Sequence, residues 1–283
     1  DNLRFASGDL YDERNVQKTY TYFGRLSALK YTNIRFFETQ NGDSTQLNCY
    51  VMLTKSKHKS ISFELEGTNS AGDLGAAASV SFQHRNLFRG SETFMVKFRG
   101  AYEAISGLQP GYKNHNYTEY GVETSINFPN FLFPFLTSDF KRRIKATTEF
   151  GLQYNYQLRP EFSRTIASAS WSYKWMQKQK IQHRIDLLDI SYLYLPWISS
   201  QFQEDYINKD KDNYILKYNY ENRLIVRMGY NYSYNSAGGA LVNNTITTNS
   251  YSIRAGFESA GNILYGISKM INMRKIKMAN MLF

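Results

Sequence analysis

Between Ile61 and Glu103 apolar and polar residues alternate with a period of two, three times in succession, and such a chain must give each strand one apolar face to cover. The first run sets Ile61, Phe63 and Leu65 against Ser62, Glu64 and Glu66. After the polar turn TNSAGD, the second sets Leu74, Ala76, Ala78, Val80 and Phe82 against Gly75, Ala77, Ser79, Ser81, Gln83 and Arg85. The third opposes Phe94, Val96, Phe98 and Tyr102 to Thr93, Lys97, Arg99 and Glu103. Together the runs predict a hairpin-connected antiparallel meander.

Composition says what the apolar face meets. Tyr contributes 23 residues and Phe 19, an enrichment expected of strands that carry aromatic girdles at membrane interfaces. A mean hydropathy of −0.51 and the lack of a long apolar run exclude a helical membrane span. They leave a barrel open, because alternating lipid-facing and lumen-facing residues average to polar. The net charge of +10 invites a nucleic-acid reading, but Lys and Arg are scattered singly and no recognition motif accompanies them. No nucleic acid is expected as a partner; the basic residues suit a lumen and anionic headgroups. Cys49 is the only cysteine and permits no intrachain disulfide.

Residues 1–57 read differently from the rest. Val16, Tyr20, Phe23 and Leu26 recur at helical spacing and predict a helix from about Asp12 to Leu29. Thr32 to Glu38 and Leu47 to Thr54, separated by QNGDST, predict a hairpin. A helix on a small hairpin makes an α+β module, thin for an independent core. KSKHK, Lys55 to Lys59, joins it to the meander as a solvated connector or a headgroup contact.

Beyond Glu103 the alternation continues through Tyr120–Phe128, Ile144–Leu158, Ala167–Trp175, Ile181–Leu195, Tyr214–Tyr220, Val226–Tyr234 and Tyr251–Phe257, which makes about ten strands from residue 58 onward. Pro129 and Pro134 bar PNFLFPFLTSDF from a central strand and make it a hydrophobic turn or interfacial element. NLFRGSE, QKQK and ENR are short, whereas the loops at 105–116, 196–213 and 235–249 are long. Short turns on one side and long loops on the other are the pattern of outer-membrane barrels, with the short side periplasmic. TNSAGD and the apolar turn at 129–142 depart from it.

On these residues, FELEGTNSAGDLGAAASVSFQHRNLFRGSE with its NLFRG turn and the later FPNFLFPF, the chain resembles the BamA/TamA family of outer-membrane assembly factors, in its Bacteroidetes-type versions. GDLYDERNVQKTYTYFGRLSALKYTNIRFFE is similar to the second helix and following strand of a POTRA module, the periplasmic repeat placed before such barrels. The resemblance implies a mainly β fold, a transmembrane antiparallel β-barrel preceded by a partial α+β POTRA module, with residues 1–57 periplasmic and 58–283 the N-terminal part of the barrel. Members carry about sixteen strands, a number within the range of such barrels; the VRGF-type motif and a closing C-terminal strand are not found in this sequence. MINMRKIKMANMLF shows no strand signature and reads as a truncated periplasmic turn, in preference to a soft binding surface formed by its methionines. An unclosed sheet would expose two edges in lipid, so a fragment of a larger outer-membrane protein is expected.

The function the resemblance implies is insertion or translocation of outer-membrane or surface proteins by strand addition at a lateral gate, without nucleotide hydrolysis. The gate edge would be Ser60, Ile61, Ser62, Phe63, Glu64, Leu65, Glu66 and Gly67, whose backbone groups a client strand would pair. Ile34, Phe36, Leu47 and Tyr50 of the POTRA hairpin would offer a second edge. Partners would be unfolded outer-membrane or surface-protein clients, outer-membrane lipids and accessory periplasmic or lipoprotein subunits.

A passive channel for small solutes is the alternative, and an enzyme comes third. His58, His84, His115 and His183 are widely spaced and suggest no zinc site; His84 and His183 are expected as solvated side chains. Ser70 lacks the context of a nucleophile elbow, and no nucleotide fingerprint occurs. Glu64 and Glu66 could pair for acid–base work, but lumen-facing acids need no such role. No catalytic residue, metal site or cofactor is assigned.

Overall fold

The computed structural model describes residues 3–41, 44–70, 73–106, 116–137, 140–141, 144–178, 180–207, 219–237, 249–261 and 269. Helix α1, Glu13–Phe23, begins where the side chain of Asp12 accepts the Arg14 N–H at 2.9 Å, a cap that satisfies one of the free amides of the first turn. Val16, Thr19 and Phe23 form its buried face. The helix is shorter than its periodicity suggested: the Gly24 N–H returns to Tyr20 O at 2.9 Å and the Leu26 N–H to Phe23 O at 3.1 Å, a tightening that leaves Leu26 beyond the helix.

Strands β1, Leu29–Asn41, and β2, Ser44–Lys55, form a two-stranded antiparallel sheet in which Ile34 faces Val51 and Phe36 faces Cys49. The second sheet has nine strands, all antiparallel to their neighbours and laid down in chain order. They are β3 (Lys59–Ser70), β4 (Asp73–Arg85), β5 (Thr93–Ala104), β6 (Asn116–Phe128), β7 (Thr147–Leu158), β8 (Phe162–Gln177), β9 (Ile181–Ile198), β10 (Arg223–Asn235) and β11 (Ser252–Ala260). Outer strands β3 and β11 are each paired on one side among the described residues. No helix among those residues is long and apolar enough to cross a membrane.

Two features of the sheet differ from the sequence reading. Pro196 lies inside β9, opposite the register shift between Ser163 and Thr165, where a bulge removes the need for a ladder donor. The run Tyr214–Tyr220 was expected as a strand between β9 and β10. Most of it lies outside the described residues, but β9 pairs directly with β10, Ile190 facing Val226, so no strand stands between them. That changes the parity of the later connections. The segment 236–251 joins β10 to β11 at the end nearest the helix and hairpin, together with 86–92, 129–146 and 178–180. Short and long connections therefore occur at both ends, and the predicted asymmetry of loop length does not hold.

Register makes the two faces continuous. One apolar row runs Ile61, Phe82, Val96, Thr124, Leu152, Ala169, Ile190, Val226 across eight strands. The opposite face holds the ion pairs Lys97–Glu64, Arg99–Glu66, Lys174–Glu149, Arg184–Asp186 and Arg227–Asp189.

The turn 86–92 is unusually constrained. Asn86, Arg89 and Ser91 all have positive φ, 70°, 65° and 66°, a region that costs residues with a Cβ. Side chains hold it: the buried carboxylate of Glu92 accepts the Phe88 and Gly90 N–H groups at 3.1 and 3.0 Å, and Asn86 Oδ1 accepts the Ser91 N–H at 2.9 Å. Ser27, just after α1, donates to the Ser91 carbonyl at 2.7 Å and so ties the module to the sheet.

Candidate functional site at the edge of β3

The backbone of β3 decides which groups are free. The Arg85 N–H donates to the His58 carbonyl at 2.6 Å, and the β3–β4 register runs without a shift from Lys59–His84 to Ser70–Asp73. In an antiparallel ladder, hydrogen-bonded and non-bonded pairs alternate. Ser60, Ser62, Glu64 and Glu66 therefore spend their backbone groups on β4. Ile61, Phe63, Leu65 and Gly67 turn theirs outward, where no strand among the described residues meets them. Their side chains share the apolar face, with Phe63 74% and Leu65 86% exposed, and a Cβ at Gly67 would meet open space.

Polar side chains brace the strand from the opposite face. Glu64 accepts from Ser79 Oγ and from Lys97 Nζ, both at 2.9 Å. Glu66 takes the Arg99 guanidinium in a two-bond fork at 3.3 and 2.9 Å, the geometry that makes Arg–carboxylate pairs directional. Both acids reach past β4 to β5, over the small residues Ser79 and Ala77. The pairing gives Glu64 and Glu66 cationic partners, and no acid–base arrangement of the two acids with each other is present. At the strand start, Ser60 Oγ lies 3.4 Å from Gln83 Oε1. The far end packs closely too: a Cβ on Gly75 would stand 2.5 Å from Thr68 Oγ1, so the Thr68–Gly75 pair needs its glycine.

The second predicted edge divides. Tyr20, on α1, donates its hydroxyl to the Ile34 carbonyl at 3.1 Å and accepts the Ile34 N–H at 2.8 Å. The outward groups of β1 at Ile34 are thus already paired, and the side chain is only 8% exposed. The four residues named from the sequence do not make one surface. Phe36 packs edge-on against Tyr11 at 5.1 Å. By the same alternation Leu47, on β2, turns its backbone outward, whereas Tyr50 faces Arg35 and bonds inward, its ring against Phe37 at 5.5 Å. Cys49 and Val51 join Leu47 on the open edge of β2; sequence reasoning missed them because apolar spacing does not give the phase of the backbone.

The histidines also differ from expectation. His183 is stacked on Trp175 at 4.7 Å, with Nδ1 2.8 Å from Tyr230 Oη. His84 has its Nδ1 buried without a hydrogen-bond partner among the described residues. Neither is the solvated side chain predicted, because both fall on the crowded apolar face. His115 lies outside the described residues, as do Met270, Met273, Met278 and Met281. Among the described residues no group of His, Cys, Asp or Glu could hold a metal ion. The missed participants at β3 are Ser79, Lys97 and Arg99. Their signal was present: two cations two residues apart on β5 match two acids two residues apart on β3.

No family model matches the chain, and no curated protein matches it either.

Proposed function

We propose that the nine-stranded sheet belongs to an outer-membrane β-barrel, that residues 1–57 are a partial POTRA module on its periplasmic side, and that the protein inserts or translocates outer-membrane proteins by strand addition at β3. The observation that carries this reading is an edge strand whose outward backbone groups at Ile61, Phe63 and Leu65 have no partner among the described residues. A client strand pairing there gains a ladder of hydrogen bonds, and the alternate apolar side chains continue the apolar wall. No nucleotide is required, because pairing and burial supply the driving force.

The apolar face supports the membrane part of the proposal. Ile61, Phe98, Tyr120, Leu152, Tyr154, Tyr192 and Phe257 are all exposed on it. Covering each of the aliphatic and Phe side chains would gain about 1.5–3 kcal/mol, and a continuous exposed apolar face of this kind suits a lipid environment. Aromatic residues sit towards both ends: Tyr120, Tyr156 and Tyr194 on one level, Phe94, Phe150 and Trp171 on another.

Photocrosslinkers placed along residues 60–67 should capture an unfolded outer-membrane protein, and crosslinkers on β8, paired on both sides, should not. Capture at β8 with none at β3 would sink the mechanism. A passive channel is the second reading, favoured by the ion pairs of both signs on the polar face. Ion conductance, with client assembly intact in cells lacking the protein, would favour it instead.

A further inference from the structure

Where the helix–hairpin module meets the sheet, four cations gather. The Tyr22 ring has Arg4 Cζ at 4.4 Å and Lys145 Nζ at 4.1 Å from its centre. Arg25 Nη1 donates to the Lys145 carbonyl at 3.1 Å, and Lys141 stands one turn before Lys145, whose N–H returns to the Lys141 carbonyl at 3.0 Å. Among the described residues none of these four cations has a carboxylate partner. Lys145 also has φ 54°, at a helix-end position that glycine usually takes. A lysine is held in a strained conformation where a glycine would relax it, and its ammonium is aimed at the ring that Arg4 also covers.

The neighbouring segment is apolar and fixed in place. Thr148 Oγ1 donates to the Asn130 carbonyl at 2.8 Å and accepts the Leu132 N–H at 2.9 Å. Tyr173 Oη donates to the Leu132 carbonyl at 2.9 Å, and Phe131 packs edge-on against Tyr173 at 4.8 Å. Thr148 and Tyr173 belong to the apolar face of the sheet, so 130–133 lies over that face at the module's end. Phe135 then stands 86% exposed, and Phe140 is exposed beside Lys141. Cations with no carboxylate partner among the described residues, together with exposed aromatics that follow a segment pinned at the rim of an apolar wall, match a molecule with a phosphate at one end and acyl chains at the other.

We propose that this junction binds the headgroup of an anionic phospholipid, with Arg25 and Lys145 on the phosphate and Phe135 at the acyl boundary, and that the bound lipid fixes the module against the bilayer surface. The inference rests on the membrane reading above. A nucleic acid would not need the apolar segment, and an acidic peptide would not need it placed over the sheet's apolar face.

The test uses the full chain and vesicles of phosphatidylcholine with or without phosphatidylglycerol. Wild-type protein should bind the mixed vesicles more tightly, and R25Q/K145Q should lose about fivefold of that affinity for each cation removed, without loss on pure phosphatidylcholine. K145G, which relaxes the backbone while removing one charge, should lose about fivefold and keep its fold. F135S should weaken binding to both vesicles alike. K57Q/K59Q removes two charges from the connector and should cost less than R25Q/K145Q. Equal losses from the two double variants, or no preference for phosphatidylglycerol, overturn the site. Displacement by inorganic phosphate at constant ionic strength overturns it in favour of a free-phosphate site. Failure of the wild-type chain to bind either vesicle would instead count against the membrane reading itself.

Discussion

Two strand edges in this protein are built from the same antiparallel geometry and left in opposite states. On β1 the outward backbone groups of Ile34 are taken up by one tyrosine hydroxyl from α1. On β3 the outward groups of Ile61, Phe63 and Leu65 have no such cover among the described residues, and the side-chain bonds of Glu64 and Glu66 come from the opposite face. Exposed edges invite pairing with other chains, and proteins usually blunt them. Here β1 is covered at Ile34 by Tyr20, while β3 is held against β4 and β5 with no partner on its outer side among the described residues. The proposed strand addition would use this difference between β1 and β3.

The sharpest way to break the comparison is to remove a donor from each open edge. Proline in place of Phe63 deletes one outward N–H without touching the β4 ladder, so an edge strand should tolerate it. Client capture by β3 should fall about tenfold, since each backbone hydrogen bond is worth about 0.5–1.5 kcal/mol and the register beyond it is interrupted. L47P makes the same change on β2 and should leave capture at β3 unaltered. If the two prolines reduce capture equally, β3 has no special place.

A smaller effect is expected from Y20F, which opens the capped edge. Two hydrogen bonds to Ile34 disappear, and its part-buried N–H and carbonyl lose their partner. The module should lose about 1–3 kcal/mol, seen as a lower melting midpoint and faster amide exchange at Ile34. Unchanged exchange there would mean that the hydroxyl does not protect the edge.

Why one edge was legible and the other was not follows from what alternation encodes. Period-two spacing assigns faces, so Ile61, Phe63 and Leu65 were placed correctly on one side of a strand from the sequence. It carries nothing about which backbone groups point along the sheet, and so Ile34, Leu47 and Tyr50 looked equivalent although their ladders differ. Tyr20 read as an apolar member of the helix face; only its hydroxyl, at the far end of the ring, reaches β1. The order of strands was also beyond it. Tyr214–Tyr220 alternates as well as its neighbours do, yet β9 spends its free side on β10. The Glu64/Glu66 and Lys97/Arg99 spacings, by contrast, were visible and needed only the hairpin register to be joined.

That brace gives the finest distinction between the edges. E64Q/E66Q keeps side chains of nearly the same size, and the amide oxygen then at position 64 can still accept from Ser79, but both ion pairs to β5 are gone. Pairs this accessible contribute modestly and are screened by salt. Amide exchange along β3 at Ser60, Ser62 and positions 64 and 66, whose N–H groups bond β4, should therefore quicken slightly at low ionic strength, and the difference from wild type should shrink as salt is added. E149Q, which breaks the Lys174–Glu149 pair between β7 and β8 at 2.5 Å, should leave β3 exchange as it was. If β3 is indifferent to its acids at low salt, β4 alone holds the edge in place and the brace is only a consequence of register. If it responds, then one face of β3 stiffens the strand while the other edge stays free, which is what a template for strand addition requires.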